Sequence, residues 1–247
     1  MSLAIATYVP EGIVMASDSR QSITFGGVKP DGNKFEIETV NSDSVNKTFM
    51  LEKQRVGISS FGQDLLAGVP MASHVKRFSE EMLRDTDDVE EVANKLLEFF
   101  SKNFGNVATG FHICGYRKES KVSMPYVFNC NLAKKEIARR NLKPDGSLAF
   151  GTTWSGQFDV LSGLINPVTI TDNVGSTKVI RDVVPIVWDA MALQDAIDFS
   201  IFAIQTTIQA IRFQARPKNV GGPIDVLLIT PSVVNWIQHK ELKGEIK

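Results

Sequence analysis

SLAIATYVPEGIVMASDSR, residues 2–20, holds two apolar runs parted by Pro10, Glu11 and Gly12. Leu3, Ile5, Thr7 and Val9 alternate with Ala4, Ala6 and Tyr8, and Ile13–Ala16 is apolar throughout. Two such runs around a short turn with Gly specify a β-hairpin. Turning at Pro10 and Glu11 sets Val9 opposite Gly12, and counting outward brings Ser2 level with Asp18 and Ser19. Both strands are apolar on both faces, so the hairpin is expected inside a layered structure with its open end at a cleft. The start of the chain and a carboxylate become neighbours there.

Asp18 and Arg20 alone read as an ion pair at a strand end. Ser2 changes that reading. Its small side chain permits removal of Met1, which leaves a hydroxyl beside a free amine. An α-amino group titrates at roughly 7.7 in model peptides, so much of it is unprotonated at neutral pH and able to accept the hydroxyl proton. One residue then supplies both nucleophile and base.

On these residues the stretch resembles the opening of the proteasome-type N-terminal nucleophile hydrolases, the class of the proteasomal β subunits and their bacterial relatives. That pattern is a nucleophile at the mature terminus, a strand, a turn with Gly, an apolar strand, then Asp-Ser-Arg. Laid ungapped on this chain it falls on Ser2, Gly12, Asp18 and Arg20. Val45–Gly68, VNKTFMLEKQRVGISSFGQDLLAG, carries the resemblance further: Lys47 opens a strand, Glu52–Arg55 turn, Val56–Ser60 form a strand, and Gly62 precedes an expected helix. Lys34 competes for the lysine position by ungapped count, but it borders a turn, and Asn46, Thr48 and Phe49 fit the motif around Lys47.

The resemblance implies roles. A buried Lys47 ammonium favours the alkoxide and an unprotonated amine, Asp18 offsets the cost of burying it, and a Gly62 N–H at a helix start would hold an oxyanion. Gly151, Thr152, Thr153, Trp154, Ser155 and Gly156 lie where the related enzymes place a Gly-Ser-Gly loop beside the nucleophile, and Thr152, Thr153 and Ser155 all remain candidates for its serine. Gly221, Gly222 and the strand through Thr230 match the family's Gly-Gly strand, but Pro217 and Val220 stand where active members have Asp and Ser. Lys218 or Asn219 is left as a substitute.

Composition bounds the alternatives. The chain has 247 residues, 43% hydrophobic and 22% charged, with a net charge of -1. That describes a globular protein with a full core, here one domain over 1–247 with a hairpin insertion near 21–44, and gives no support for a nucleic-acid partner. The insertion is expected over the cleft mouth or against a neighbouring subunit. Neither a signal peptide nor a membrane span is expected. The three histidines are scattered, so no metal site is implied, and no cofactor. Cys114 and Cys130 lie in strand-like runs and read as buried thiols in a cytoplasmic protein.

Along the rest of the chain, Leu65, Val69, Ala72, Val75, Phe78 and Met82 predict one helix, delayed or bent at Pro70. Val89, Val92, Ala93, Leu96, Phe99 and Phe100 predict a second after a Thr86–Asp87 start. A meander of four strands from Thr109 to Trp154, a helix over 190–214, a strand PIDVLLIT and a closing short helix VVNWIQHKEL follow. This order fits an α+β, four-layer αββα sandwich of two antiparallel sheets between helices. The implied function is a serine- or threonine-type peptidase or small amidohydrolase cleaving peptide or amide substrates through Ser2, in a ring-like homo-oligomer. The alternative is a catalytically silent scaffold or binding subunit.

Overall fold

The computed structural model describes residues 2–241. β1 (Leu3–Val9) and β2 (Gly12–Ser17) form the opening hairpin, with every residue buried, Val9 opposite Gly12 and Ala4 opposite Ser17. Gly12 lets the turn pack closely: a Cβ there would lie 2.8 Å from the Leu193 side chain and 3.1 Å from Ile229 O. β3 (Gln21–Val28) and β4 (Lys34–Ser42) make a second hairpin, closed by a turn with Gly32 at φ +84 and mostly exposed.

β5 (Thr48–Leu51) and β6 (Val56–Gly62) follow, with Thr48 opposite Ser59. The helix expected from Leu65 is not there. Leu65–Leu66 (β7) and Val69–Pro70 (β8) form a small ribbon, with Ala67 at φ +51 and Gly68 at φ +76. Positive φ at two successive residues cannot continue a right-handed helix, and Pro70 imposes an extended entry. α1 (Met71–Met82) therefore starts after Pro70, and Leu65 and Val69 are exposed rather than core.

α2 (Val89–Phe104) is capped by Asp88 and Glu91 in a reciprocal box. Asp87, read as part of the helix start, is buried and accepts from Lys95 Nζ at 2.6 Å and Arg84 N at 2.8 Å.

β9 (Thr109–Glu119), β10 (Val122–Asn131) and β11 (Glu136–Arg139) form a meander, but the expected fourth strand leaves it. β12 (Gly151–Gly156) pairs with β1 in the other sheet, beyond the turn at Pro144–Gly146. α3 (Asp159–Ile165), the exposed hairpin β13 (Val168–Thr171) and β14 (Thr177–Arg181), and α4 (Leu193–Phe213) fill the region up to the last strands. β15 (Asp225–Ile229) pairs with β2. The closing helix predicted over VVNWIQHKEL is a strand, β16 (Val234–Gln238), on the edge of β15. Its β-branched and aromatic residues suit an edge ladder better than so short a helix.

The chain is thus mixed α/β, with antiparallel sheets and four α-helices among the described residues. One sheet runs β12-β1-β2-β15-β16 and another β11-β10-β9-β6-β5. One core cluster joins α1 and α2 to β6, β9 and β10, and a second joins α4 to β1, β2 and β15. A third holds Ala6, Met15 and Leu227 of the first sheet with Cys114 and Val127 of the second. At Gly57 the sheets approach so closely that a Cβ would lie 2.5 Å from Met15 Sδ and 2.8 Å from Leu227. Among the described residues no helix is long and apolar enough to cross a membrane.

Candidate active site

The open end of the β1–β2 hairpin gathers residues from four distant segments around one carboxylate. Asp18, fully buried, accepts from Leu3 N and Lys47 Nζ at Oδ1, both at 2.9 Å, and from Arg20 N and Gly221 N at Oδ2, both at 3.1 Å. Four donors on one carboxylate offset the cost of burying it. The residue before Leu3 is Ser2, also fully buried, whose Oγ has no hydrogen-bond partner. Its carbonyl accepts from Gln157 N at 2.8 Å. Met1, whose removal would free the Ser2 amine, lies outside the described residues.

Lys47 is fully buried and forms a 2.9 Å ion pair with Asp18, and its ammonium also donates to Arg20 O. Its position follows from the strand it opens: Ser60 N donates to Lys47 O at 2.8 Å, and next to it Thr48 joins Ser17 and Ser59 in a hydroxyl chain of 2.8 and 2.9 Å contacts. Arg20 is not paired with Asp18 through its side chain. Its guanidinium binds Asp43 at 2.6 and 2.9 Å and Lys218 O at 3.0 Å, which ties the β3–β4 hairpin to the loop before Gly221.

Gly62 ends β6 with φ +97, and a Cβ there would lie 2.3 Å from Ala108 O. Glycine is required by that contact and conformation. The helix start expected behind its N–H is absent, since α1 begins only at Met71 after the β7–β8 ribbon. Gly62 nonetheless lines a cleft of about 590 Å³ with Gln21, Ser22, Thr24, Gln63 and Asp64.

The β12 candidates separate. Thr152 lies opposite Thr7, five residues along β1 from Ser2 and so roughly 17 Å away, and its hydroxyl meets Thr7 Oγ1 at 3.2 Å. Thr153 lies opposite Ala6. Ser155, opposite Ala4, receives Asn129 Nδ2 at 3.4 Å. Gly156 and Gln157 flank Ser2 more closely than any of the three: at Gly156, φ +99, a Cβ would fall 1.7 Å from Ser2 O.

No family model matches the chain, and no curated protein matches it. Solved structures do. A Gly-1 mutant of Anbu from Hyphomicrobium sp. strain MC1 aligns with a TM-score of 0.60 at 15% identity, over 97% of this chain and 86% of that one. Anbu from the same strain aligns at 0.54 and 15%, over 97% and 88%. Anbu, described as an ancestral β-subunit, from Yersinia bercovieri aligns at 0.56 and 13%, over 95% and 86%. The fold is shared with Anbu. At these identities the likeness establishes architecture, and the chemistry has to be argued from this chain's own residues.

Lys218 and Asn219, the two substitutes read from the sequence, separate, and Asp64 was not singled out there. Asn219 is buried, with Nδ2 on Gln157 Oε1 at 3.3 Å and Oδ1 unpartnered, whereas Lys218 turns away to cap the end of α4 through Ile211 O and Gln214 O. Asp64 is 7% exposed with Oδ1 unpartnered, and burial raises its carboxyl above the ordinary range, with the Asp18 carboxylate adding and the Lys47 ammonium opposing. Ser19 Oγ is unpartnered as well. An acidic residue two places after Gly62 was the available signal for Asp64. Cys114 and Cys130 are free and buried, and burial pushes both thiols up, which leaves them poor nucleophiles.

Proposed function

We propose that the chain is a proteasome-type N-terminal nucleophile hydrolase that cleaves an amide bond through Ser2. The observation that carries this reading is the unpartnered hydroxyl of Ser2, buried one residue from the Asp18–Lys47 pair. Support also comes from the motif spacing at Ser2, Gly12, Asp18 and Arg20 and from the fold shared with Anbu. The three core clusters support reading the sheets and helices as a four-layer αββα sandwich.

In this mechanism removal of Met1 frees the Ser2 amine, which takes the proton from Oγ as Oγ bonds to the substrate carbonyl carbon. Lys47 stabilises negative charge on Oγ, and Asp18 balances and positions Lys47. The Gly62 N–H would bind the carbonyl oxygen as it gains charge. The Ser2 ammonium then returns its proton to the leaving nitrogen as the C–N bond breaks. Water, deprotonated by the same amine, hydrolyses the ester. Gln157, whose N–H bonds Ser2 O, and Asn219, which bonds Gln157, would take the place of the family's Asp and Ser in orienting the amine. Peptides admitted to a ring-like homo-oligomer are the substrates in this reading.

A second reading, a silent scaffold subunit, is favoured by Pro217 and Val220, neither of which can hydrogen-bond through its side chain. Intact mass of protein from its native host decides first: loss of Met1 is expected, and retention would end the hydrolase reading. A peptide β-lactone probe should then label wild type and spare Ser2→Ala. Labelling of both would place the nucleophile elsewhere.

A further inference from the structure

Asp64 has the wrong surroundings for a structural carboxylate. It lines the cleft that Gly62 also lines, is 7% exposed, and Oδ1 has no partner. The backbone around it is fixed: Gln63 N and O both bond Thr109 Oγ1, at 3.2 and 3.3 Å, and Asp64 O accepts from Met71 N at 2.9 Å. The nearby cations are committed elsewhere. Lys47 is held by Asp18 and Arg20 O, and the Arg20 guanidinium by Asp43 and Lys218 O. On the opposite wall the Gln21 carbonyl oxygen accepts from Asn41 Nδ2 at 2.7 Å.

A buried carboxylate without a cation costs stability, and adding a matching cation recovers a charge-assisted hydrogen bond in a partly desolvated site. We propose that Asp64 makes the cleft selective for substrates bearing a guanidinium or primary ammonium close to the scissile amide. This rests on the hydrolase reading of Ser2 and names the substrate class of that same site. A neutral isostere leaves Asp64 unmatched, so discrimination arises from the unmatched partner as much as from the bond gained.

The test compares two fluorogenic peptide amides that differ only in arginine or its neutral isostere citrulline next to the cleaved bond. Wild type is expected to favour arginine by about tenfold or more in kcat/KM, a difference of about 1.4 kcal/mol. In Asp64→Asn that ratio should fall to about one, while Asp64→Glu, which keeps the charge, should still favour arginine. A wild-type ratio near or below one, or a ratio that survives in Asp64→Asn, overturns the proposal. If wild type cleaves neither peptide, the hydrolase reading has failed, and calorimetric binding of the same two peptides decides this proposal separately. Tighter binding of the arginine peptide that is lost in Asp64→Asn supports it; equal or undetectable binding of both overturns it.

Discussion

Two buried aspartate–lysine pairs sit almost side by side on one sheet, and they differ in what surrounds them. Asp225 lies opposite Ser17, the residue before Asp18. It is fully buried and accepts from His239 Nδ1 at 3.0 Å, from Lys240 N at 2.9 Å and from the Lys240 ammonium. All its donors come from the end of the adjacent strand, and none of the buried unpartnered side-chain atoms belongs to them. Asp18 draws its donors from Leu3, Arg20, Lys47 and Gly221, and beside it Ser2 Oγ and Ser19 Oγ remain unpartnered. Buried charge by itself therefore does not mark a reactive site. A satisfied pair closes a sheet edge, whereas a pair surrounded by unsatisfied hydroxyls has capacity left for a substrate.

The strongest way to break this comparison is to remove each ammonium in turn. Lys47→Met should reduce β-lactone labelling of Ser2 about 100-fold or more, in the range lost with a catalytic proton-transfer or electrostatic group. Lys240→Met should keep labelling within about twofold. Both variants leave an aspartate buried without its lysine, so urea unfolding should show each destabilised by about 3–5 kcal/mol. Equal loss of labelling in the two would erase the distinction.

A smaller effect tests what holds Ser2 in place. Gly156 and Gly146 share left-handed backbone, φ +99 and +82, so alanine at either carries similar strain, about 1–2 kcal/mol. Only at Gly156 would the new Cβ meet the Ser2 carbonyl; at Gly146 nothing lies within 4 Å. Gly156→Ala should cost about tenfold or more in labelling, because a shift of about 1 Å in a reacting group is enough for that. Gly146→Ala should label like wild type. If both label alike, the contact between β12 and the chain start does not position the hydroxyl.

How far the sequence discloses this arrangement depends on whether a feature is local. The β1–β2 register is legible because a two-residue turn fixes it, and with it the approach of Ser2 to Asp18. Lys47 is legible only through the family resemblance, because a lysine at the head of a strand ordinarily lies at the surface. The start of α1 is not, because Leu65 and Val69 fit a helical stripe and only the left-handed backbone at Ala67 and Gly68 excludes it. The move of β12 from the meander to the edge of β1 is a long-range choice that alternation cannot encode, and it is what sets Gly156 and Gln157, instead of a β12 hydroxyl, against Ser2. Asp64 is invisible for the same reason, and Asn219 is legible only as one of two substitutes: their meaning lies in a missing partner, which only packing reveals.

The smallest effect concerns another buried aspartate, Asp64, which lacks the lysine that Asp18 and Asp225 have. Burial, with a smaller contribution from the Asp18 carboxylate, raises its carboxyl above the unfolded value near 3.9. Ionising it therefore costs more in the folded chain than in the unfolded one. Below the unfolded value both states are protonated and the site is without penalty; as pH rises through the raised folded value, that contribution to stability is lost. Asparagine keeps the shape and does not titrate. Asp64→Asn should consequently melt close to wild type at pH 4 and above it at pH 7, the gap widening with pH. A gap independent of pH, or a variant less stable than wild type at pH 7, would mean that Asp64 is matched by a cation within the folded chain. It would then belong with Asp18 and Asp225 as a paired carboxylate, and the cleft would lose its claim on a positively charged substrate.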